Sequence, residues 1–539
     1  MYQDKNILKE KRLKVLNSLL NVVYLKGIKH ETLHHGIIIM NRYLHKNEIN
    51  VNNFHIIGLV SLNLAIKIHE VTPLEIEEII YLHNKEINPY DELIYKESFV
   101  KQIEKDILET IDYELYTDNA WQYVKLISGE EKIIEQQFNF TFYLSNIILS
   151  SRYYGFIDNK ELAEKIILFA KNIYSLDRIY LLNDPINNLI YKCYKKEIQK
   201  NIFPEIRSTF EGMSMYNFIK NKFSDIVYNI NYKIKPELKL YKQNTINWYT
   251  KKDIFERQII TSLGEGTYGK VEQVFINNNA VALKIVYDRE EHTGIGSLVL
   301  RELNTLRNLN HSNINKINGF YYDYDNHRAY FGLELMEKSL FDSFNKQIIS
   351  DKRKDLYIIQ LLRGLKHIHD NNIMHRDLSP SNILISNDHL QISDFGMSKY
   401  YVNSNLIKTQ TDVIFSIYYR PIEIYLGKKY TEKADIWACA CIIGFILTER
   451  HLFEGETESE IINCIFKRLG TPTTEYNSEI MTWPKFNENF LVHMKSGFVE
   501  IEQKYPQYAT ILYSMLEMNP INRPSISQVL NQFESIIKN

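Results

Sequence analysis

"MHRDLSPSNILI", residues 374 to 385, is the stretch on which the fold turns. It sets Asp377 and Asn382 a few positions apart, and "ISDFG" (392–396) adds Asp394 soon after. Upstream, "LGEGTYGKV" (263–271) clusters Gly264, Gly266 and Gly269. Glycines so spaced let a backbone turn tightly and approach phosphate oxygens without interference from Cβ. The loop sits between strand-like runs instead of opening a helix, which argues against a dinucleotide-binding βαβ unit. Taken alone, it is equally well a flexible hairpin. Lys284 follows in "VALK" and Glu302 in "GSLVLRE" (296–302). A surface lysine and glutamate are usually bland; it is the ordered set that carries weight.

Glycine loop, strand lysine, helix glutamate, HRD with its asparagine, and DFG, in that order, resemble the eukaryotic protein kinase family. The resemblance covers about 255–536 and ends near "NPINRPSISQVL", where Arg523 matches the large-lobe arginine. It implies a bilobal α+β fold and ATP as phosphate donor. By this resemblance Leu263, Gly264, Glu265, Gly266, Thr267, Tyr268, Gly269, Lys270, Val271 and Ala282 enclose the nucleotide. Glu334-Leu335-Met336 form the hinge that offers backbone groups to adenine, with Leu333 as gatekeeper. Lys284 holds the α- and β-phosphates and Glu302 fixes that lysine. Asn382 and Asp394 carry Mg²⁺, and Asp377 accepts the proton of the substrate hydroxyl.

The helix of Glu302 narrows the resemblance. On a helix, neighbouring side chains point about 100° apart, so Glu302, Arg301 and Leu300 face three different ways. "GIGSLVLRE" (294–302) is similar to the PSTAIRE helix of cyclin-dependent kinases. "GEGTYG" carries that family's inhibitory phosphorylation sites as Thr267 and Tyr268. "YYRPIEIYLGKKYTEKADIWACACI" (418–442) and the LGTP stretch near 469–472 agree. The resemblance places Thr411 at the activating phosphothreonine, with Thr409 as a nearby competitor. Arg301, Arg376 and Lys399 stand at the basic cluster that receives its phosphate. A phosphate there adds nearly two charges and ~1–3 charge-assisted hydrogen bonds. Two departures stand out. The family's phosphate-contacting lysine is Ser379 here, a loss worth ~1.5–3 kcal/mol, or ten- to a hundredfold in rate. The APE triplet is "PIE", which keeps Glu423 for Arg523. Ser416 replaces a threonine beside the catalytic aspartate.

Leu300 matches the PSTAIRE isoleucine that points into a cyclin, and the first half of the chain supplies a candidate partner. Residues 7 to about 225 contain little glycine and read as serial helices: "LHHGIIIMNRYL" (33–44), "NFHIIGLVSLNLAIKIHEV" (53–71) and "KESFVKQIEKDILETI" (96–111). These resemble a cyclin box, with Lys67 and Glu104 on the family's bridging pair. The expected division is an all-α cyclin-like box over 7–115, a second cyclin-like helical repeat over 116–225, a linker over 226–254, and the kinase domain over 255–536. A coil-like linker of this length has a typical span near ~30 Å, enough to present the cyclin in cis at an effective concentration on the order of mM. Docking in trans stays open, with an external cyclin as a further partner.

Composition limits the rest. At 539 residues, 45% hydrophobic and 24% charged, the chain reads as a multidomain globular protein. A net charge of −2 gives no whole-chain argument for nucleic acid. The cysteines lack CxxC pairing, no apolar run reaches the ~18 residues of a membrane span, and no signal core opens the chain. The expected location is intracellular, in cytoplasm or nucleus. The reading is an ATP- and Mg²⁺-dependent Ser/Thr kinase of the cyclin-dependent type, acting on protein substrates at Ser/Thr-Pro through Arg420 and "VIF" (413–415). Its alternatives are a feeble nucleotide-binding scaffold, supported by Ser379 and "PIE", and a double cyclin box that binds DNA or a polymerase, for which basic "YKCYKKEIQK" (191–200) is too short.

Overall fold

The computed structural model describes residues 5–47, 53–70, 72–87, 96–115, 145, 159–175, 190, 246–266, 269–344, 349–401 and 416–538. The chain divides into two units, in the main residues 1–242 and 243–539.

Five helices build the first part of the first unit: α1 (Lys5–Lys26), α2 (His30–Lys46), α3 (Phe54–His69), α4 (Ile76–Ile87) and α5 (Glu97–Thr110). Helix α3 is apolar all round and buried from Phe54 to Ile68, as a helix wrapped by others must be. Glycines let its neighbours close in. A Cβ on Gly36 would meet the Leu62 backbone at 2.9 Å, and one on Gly58 would meet Val15 Cγ1 at 2.5 Å. Asn63 holds the chain leaving α3 by giving and receiving a hydrogen bond with the Leu74 backbone. Of the second helical repeat expected over 116–225, the Asn159–Ser175 helix and the single positions Ser145 and Ile190 are described, and the remainder lies outside the described residues.

The second unit has a six-stranded sheet, ordered β1-β5-β6-β4-β3-β2. Its strands are β1 (Asn247–Trp248), β2 (Gln258–Gly266), β3 (Gly269–Ile276), β4 (Asn279–Tyr287), β5 (Ile317–Asp323) and β6 (Arg328–Leu333). Strand β1 and the capped Lys251–Phe255 helix fall within or beside the expected linker. The linker reading therefore stops short of 254, because residues 247–249 bond to β5 and Ile246 and Ile254 are buried. Ile254 is fully buried with Val274, Ile276, Val281, Leu283, Ile285 and Tyr330. Periodicity could not reveal a two-residue strand.

Below the sheet the chain is mostly helical around Asp351–Asp370 and Lys433–Thr448. The latter is the apolar "IWACACIIGFILT" run, buried over nearly its whole length. Cys439 and Cys441 lie in it as free, buried thiols. No helix among the described residues is long and apolar enough to cross a membrane.

Candidate active site

Sheet register places the first site residues. Strand side chains alternate between faces, so cross-strand partners share one. Val271 stands opposite Lys284, Lys284 opposite Phe331, and Ala282 opposite Leu333. Gly264 pairs with Val271, Glu265 with Lys270 and Gly266 with Gly269, which closes the glycine loop as a hairpin. Its tip, Thr267 and Tyr268, lies outside the described residues. A Cβ on Gly269 would sit 1.9 Å from the Ile285 carbonyl oxygen, so the sheet itself demands that glycine; Gly264 faces open space.

The Ser297–Asn308 helix begins at Gly296, whose N–H donates to Asp288 at 2.6 Å, while the Ser297 N–H and hydroxyl donate to Glu290 at 3.0 Å. Its three sequence-marked residues part company as helical geometry requires. Glu302 is buried and accepts from Lys284 Nζ at 2.6 Å. Arg301 is half-buried, and Leu300 is fully buried. Lys284 also donates to Asp394 Oδ1 at 2.9 Å. One ammonium is thus shared by two carboxylates. Burial opposes its charge, but Asp394 and Glu302 together hold its pKa above the ordinary lysine value. The Lys284 ammonium holds Asp394 below the usual carboxylate range against the effect of burial. Burial pushes Glu302 up, Lys284 only partly offsetting it.

Asp394 is held at φ +62°, a left-handed backbone that aims its carboxylate into the cleft, and the Gly396 N–H donates to it at 3.3 Å. Across the cleft, Asn382 Nδ2 donates to the Asp377 carbonyl at 2.8 Å and to Asp377 Oδ2 at 3.0 Å. The Ser416 hydroxyl donates to Asp377 Oδ1 at 3.2 Å, so the threonine-to-serine change keeps the contact. Both carboxylate oxygens of Asp377 are oriented. Ser379 is buried and extended, on the turn into Asn382.

Asp435 organises this loop and was not marked from sequence. Its carboxylate accepts from the His375 and Arg376 N–H groups at 2.8 and 2.9 Å and bonds His369 Nε2 at 3.0 Å. Burial alone would raise its pKa; the hydrogen bonds from His369 and the Arg376 N–H, with the neighbouring His369 and His375 rings, pull it below the ordinary value. A charge at the start of an apolar helical run, "KADIW", was the available signal. Arg376, at φ +67°, donates to the Met397 carbonyl at 2.7 Å and to Tyr430 at 3.0 Å. Lys399 lies on a short strand paired with Ile373–Met374. Thr409, Thr411 and "VIF" lie outside the described residues. Farther out, Arg523 grips Glu423 with two 2.7 Å hydrogen bonds, both side chains fully buried. Arg420 pairs with Glu458.

At the hinge, the Glu334 N–H donates to the Lys316 carbonyl at 2.9 Å. The Glu334 carbonyl accepts from Asn315 Nδ2 at 3.1 Å. Asn315 Nδ2 also reaches Gln391 Oε1 at 2.9 Å, and Gln391 Nε2 donates to the Glu334 carboxylate at 3.0 Å. This amide clamp was also not marked from sequence. A carbonyl has two lone pairs, so the Asn315 bond uses only one of the two on Glu334. A cavity of about 730 Å³ lined by Trp248, Tyr249, Asn277, Asn279 and Asn318 lies elsewhere and includes none of these residues.

In the first unit, Lys67 and Glu104 are 2.5 Å apart and buried, joining α3 to α5.

The protein kinase domain model matches residues 257–533, and the model of the N-terminal domain of cyclins matches residues 1–116. Two chains of Acanthamoeba polyphaga mimivirus, provisionally named serine/threonine-protein kinases L670 and L673, are each 31% identical. The alignments cover 96% of this chain and 92% of the first, and 98% of this chain and 98% of the second. Human cyclin-dependent kinase 11B is 35% identical over 44% of this chain and 30% of its own length. Cyclin-dependent kinase 1 of Encephalitozoon cuniculi is 30% identical over 49% of this chain and 90% of its own. The chain therefore belongs to the protein kinase family, as an ATP-using serine/threonine kinase that carries an N-terminal cyclin domain.

Proposed function

We propose that the chain is a cyclin-dependent-type kinase activated by its own cyclin domain, in cis or in trans, and directed to Ser/Thr-Pro sites. The observation that carries this reading is the shared ammonium: Lys284 bonds Glu302 and Asp394 at once, in a chain that begins with a cyclin domain.

Each residue then has a task. Lys284, held by Glu302, positions the α- and β-phosphates, while the residues from Leu263 to Val271 and Ala282 cover the nucleotide. Glu334 and Met336 orient adenine. Asp377, fixed by Asn382 and Ser416, takes the proton from the substrate hydroxyl as it attacks. Asp394 and Asn382 fit Mg²⁺: they offer a carboxylate and an amide oxygen, the donor types a hard cation prefers. The net −1 charge of Asp394, Glu302 and Lys284 suits one as well. When bound, the ion neutralises charge on the phosphates. Thr411, Thr267 and Tyr268 are the proposed phosphorylation sites, with Arg301, Arg376 and Lys399 receiving phosphothreonine 411. Arg420 supports the preference for proline. Leu300, Lys67 and Glu104 belong to the kinase–cyclin interaction, and the enzyme works inside the cell.

The test is phosphate transfer from ATP and Mg²⁺ to a Ser/Thr-Pro peptide set by full-length chain without added cyclin. Transfer that disappears in Asp377→Asn, and in a form lacking residues 1–225, supports a self-sufficient enzyme. No transfer even with external cyclins and an activating kinase would favour the scaffold reading that Ser379 invites.

A further inference from the structure

Residues 246–255, which the sequence presents as the end of a linker, are stitched into the kinase sheet on both of its faces. Strand β1 runs parallel to β5, with Asn247 against Gly319 and Trp248 against Phe320, and the Tyr249 N–H donates to the Phe320 carbonyl at 2.9 Å. Consecutive strand residues point to opposite faces. Tyr249 takes one face. Its ring lies in a slot made by Gly319 and Gly332, which are cross-strand partners. A Cβ on Gly319 would come within 2.3 Å of Tyr249 Cζ, and one on Gly332 within 2.2 Å of its hydroxyl. Burial in this slot pushes the Tyr249 phenol up to about 12. Immediately after, Thr250 and Asp253 form a capping box and drive Ile254 into the apolar cluster. The segment is anchored well beyond what a tether requires.

Trp248 takes the other face. Its ring meets Phe320 edge-on at 6.0 Å, and the Arg307 guanidinium stands 5.6 Å from its centroid. Arg307 is buried and belongs to the Ser297–Asn308 helix, the helix of Glu302. Phe320 in turn packs on Phe331 at 5.0 Å, and Phe331 is the register partner of Lys284. Both ends of the Lys284–Glu302 pair are therefore traceable to one indole: the lysine through Phe331 and Phe320, the glutamate through Arg307.

We propose that Trp248 is a positioning residue for phosphate transfer, which through Arg307 holds the Ser297–Asn308 helix where Glu302 meets Lys284. A buried cation over an indole face is attracted by the ring quadrupole and resists withdrawal of the helix. The chain entering the kinase domain thus ends with a part-exposed indole laid against that helix. The inference rests on the roles given above to Lys284 and Glu302.

The test uses the full-length chain with Trp248→Ala, Trp248→Phe and, as a control on the opposite face of the same segment, Ile254→Ala. Amide hydrogen exchange over 297–308 is read beside kcat and the KM for ATP. Trp248→Ala is expected to raise exchange in that helix roughly tenfold while β3 and β4 stay protected, and to lower kcat several-fold. Trp248→Phe should restore most of both, and Arg307→Met added to Trp248→Ala should change little more. Unaltered helix exchange in Trp248→Ala overturns the proposal. So does loosening spread evenly over the lobe, as Ile254→Ala would give, or faster exchange with unchanged kcat. A fully active Lys284→Met chain would instead remove the role assigned to Lys284 and leave the exchange result standing.

Discussion

Two lysine–glutamate pairs, one in each unit, have nearly the same length and different consequences. Lys67 and Glu104 are 2.5 Å apart, with both side chains buried. Lys284 and Glu302 are 2.6 Å apart, but Lys284 also touches Asp394, whose side chain is 44% exposed. The first pair is buried and joins two helices. The second has a surplus carboxylate at an open edge, and so has charge and lone pairs to offer a ligand. What marks the proposed reaction centre is the extra carboxylate and the route to solvent.

Breaking the two pairs should therefore fail in different ways. Lys284→Met is expected to cut phosphate transfer by about 10²–10³-fold, the usual scale for removing one group aimed at developing charge. Thermal melting should move little, because Glu302, whose carboxyl burial already pushes upward, can take a proton instead of standing as an unpaired charge. Parallel loss of melting temperature and activity would make this pair a brace. Glu104→Gln should do the reverse and destabilise the helical unit by about 3–5 kcal/mol, since it takes the countercharge from a buried ammonium. The check is hydrogen exchange in α3 and α5, with Lys67→Met/Glu104→Leu expected to regain much of the loss.

Both pairs were legible in the sequence because family order fixed their positions. Lys284, Glu302 and Asp394 converge as the order implies, and Asp377 is met by Asn382 and Ser416. What the sequence hid were contacts that have no local period. Asp435 reaches back some sixty residues to orient His375 and Arg376, and Asn315 reaches Gln391 across a similar gap to clamp the hinge. Trp248 and Tyr249 looked like linker because a two-residue strand has no alternation to read. Long-range polar partners become visible only when the sheet register is known.

Ser379 sharpens the comparison on the reactive side. Restoring the cation with Ser379→Lys should raise the transfer rate ten- to a hundredfold, or about 1.5–3 kcal/mol of transition-state stabilisation. The readout is kcat with peptide and ATP saturating. A rate that falls would mean that the buried Ser379 site cannot admit a lysine, and that this chain completes phosphate neutralisation by other groups.

Acid should separate the units by a smaller margin. In the helical unit His55 is buried, with Nδ1 3.0 Å from His83 Nδ1 and Nε2 2.7 Å from Ser18. Burial first, and the His83 charge second, lower its pKa to about 3. The folded value lies below the unfolded ~6.5, so the unfolded chain binds the proton more readily. The stability that neutral His55 contributes is complete above pH ~6.5 and drains away as pH falls from there toward 3. At pH 5 the loss is about 2 kcal/mol, at ~1.4 kcal/mol for each pH unit below 6.5. Asp394 behaves differently: its folded value lies below the ordinary carboxylate range, so its contribution is intact at pH 5 and is lost only in stronger acid. Lowering the pH from 7.5 to 5 should therefore weaken exchange protection in α3 more than in the sheet around Lys284, although burial also lowers His311, His367 and His451 of the second unit and gives it an acid-dependent loss of its own. His55→Asn should flatten that slope. An equal decline in both units would show that the histidine pair does not set the acid limit of the helical one.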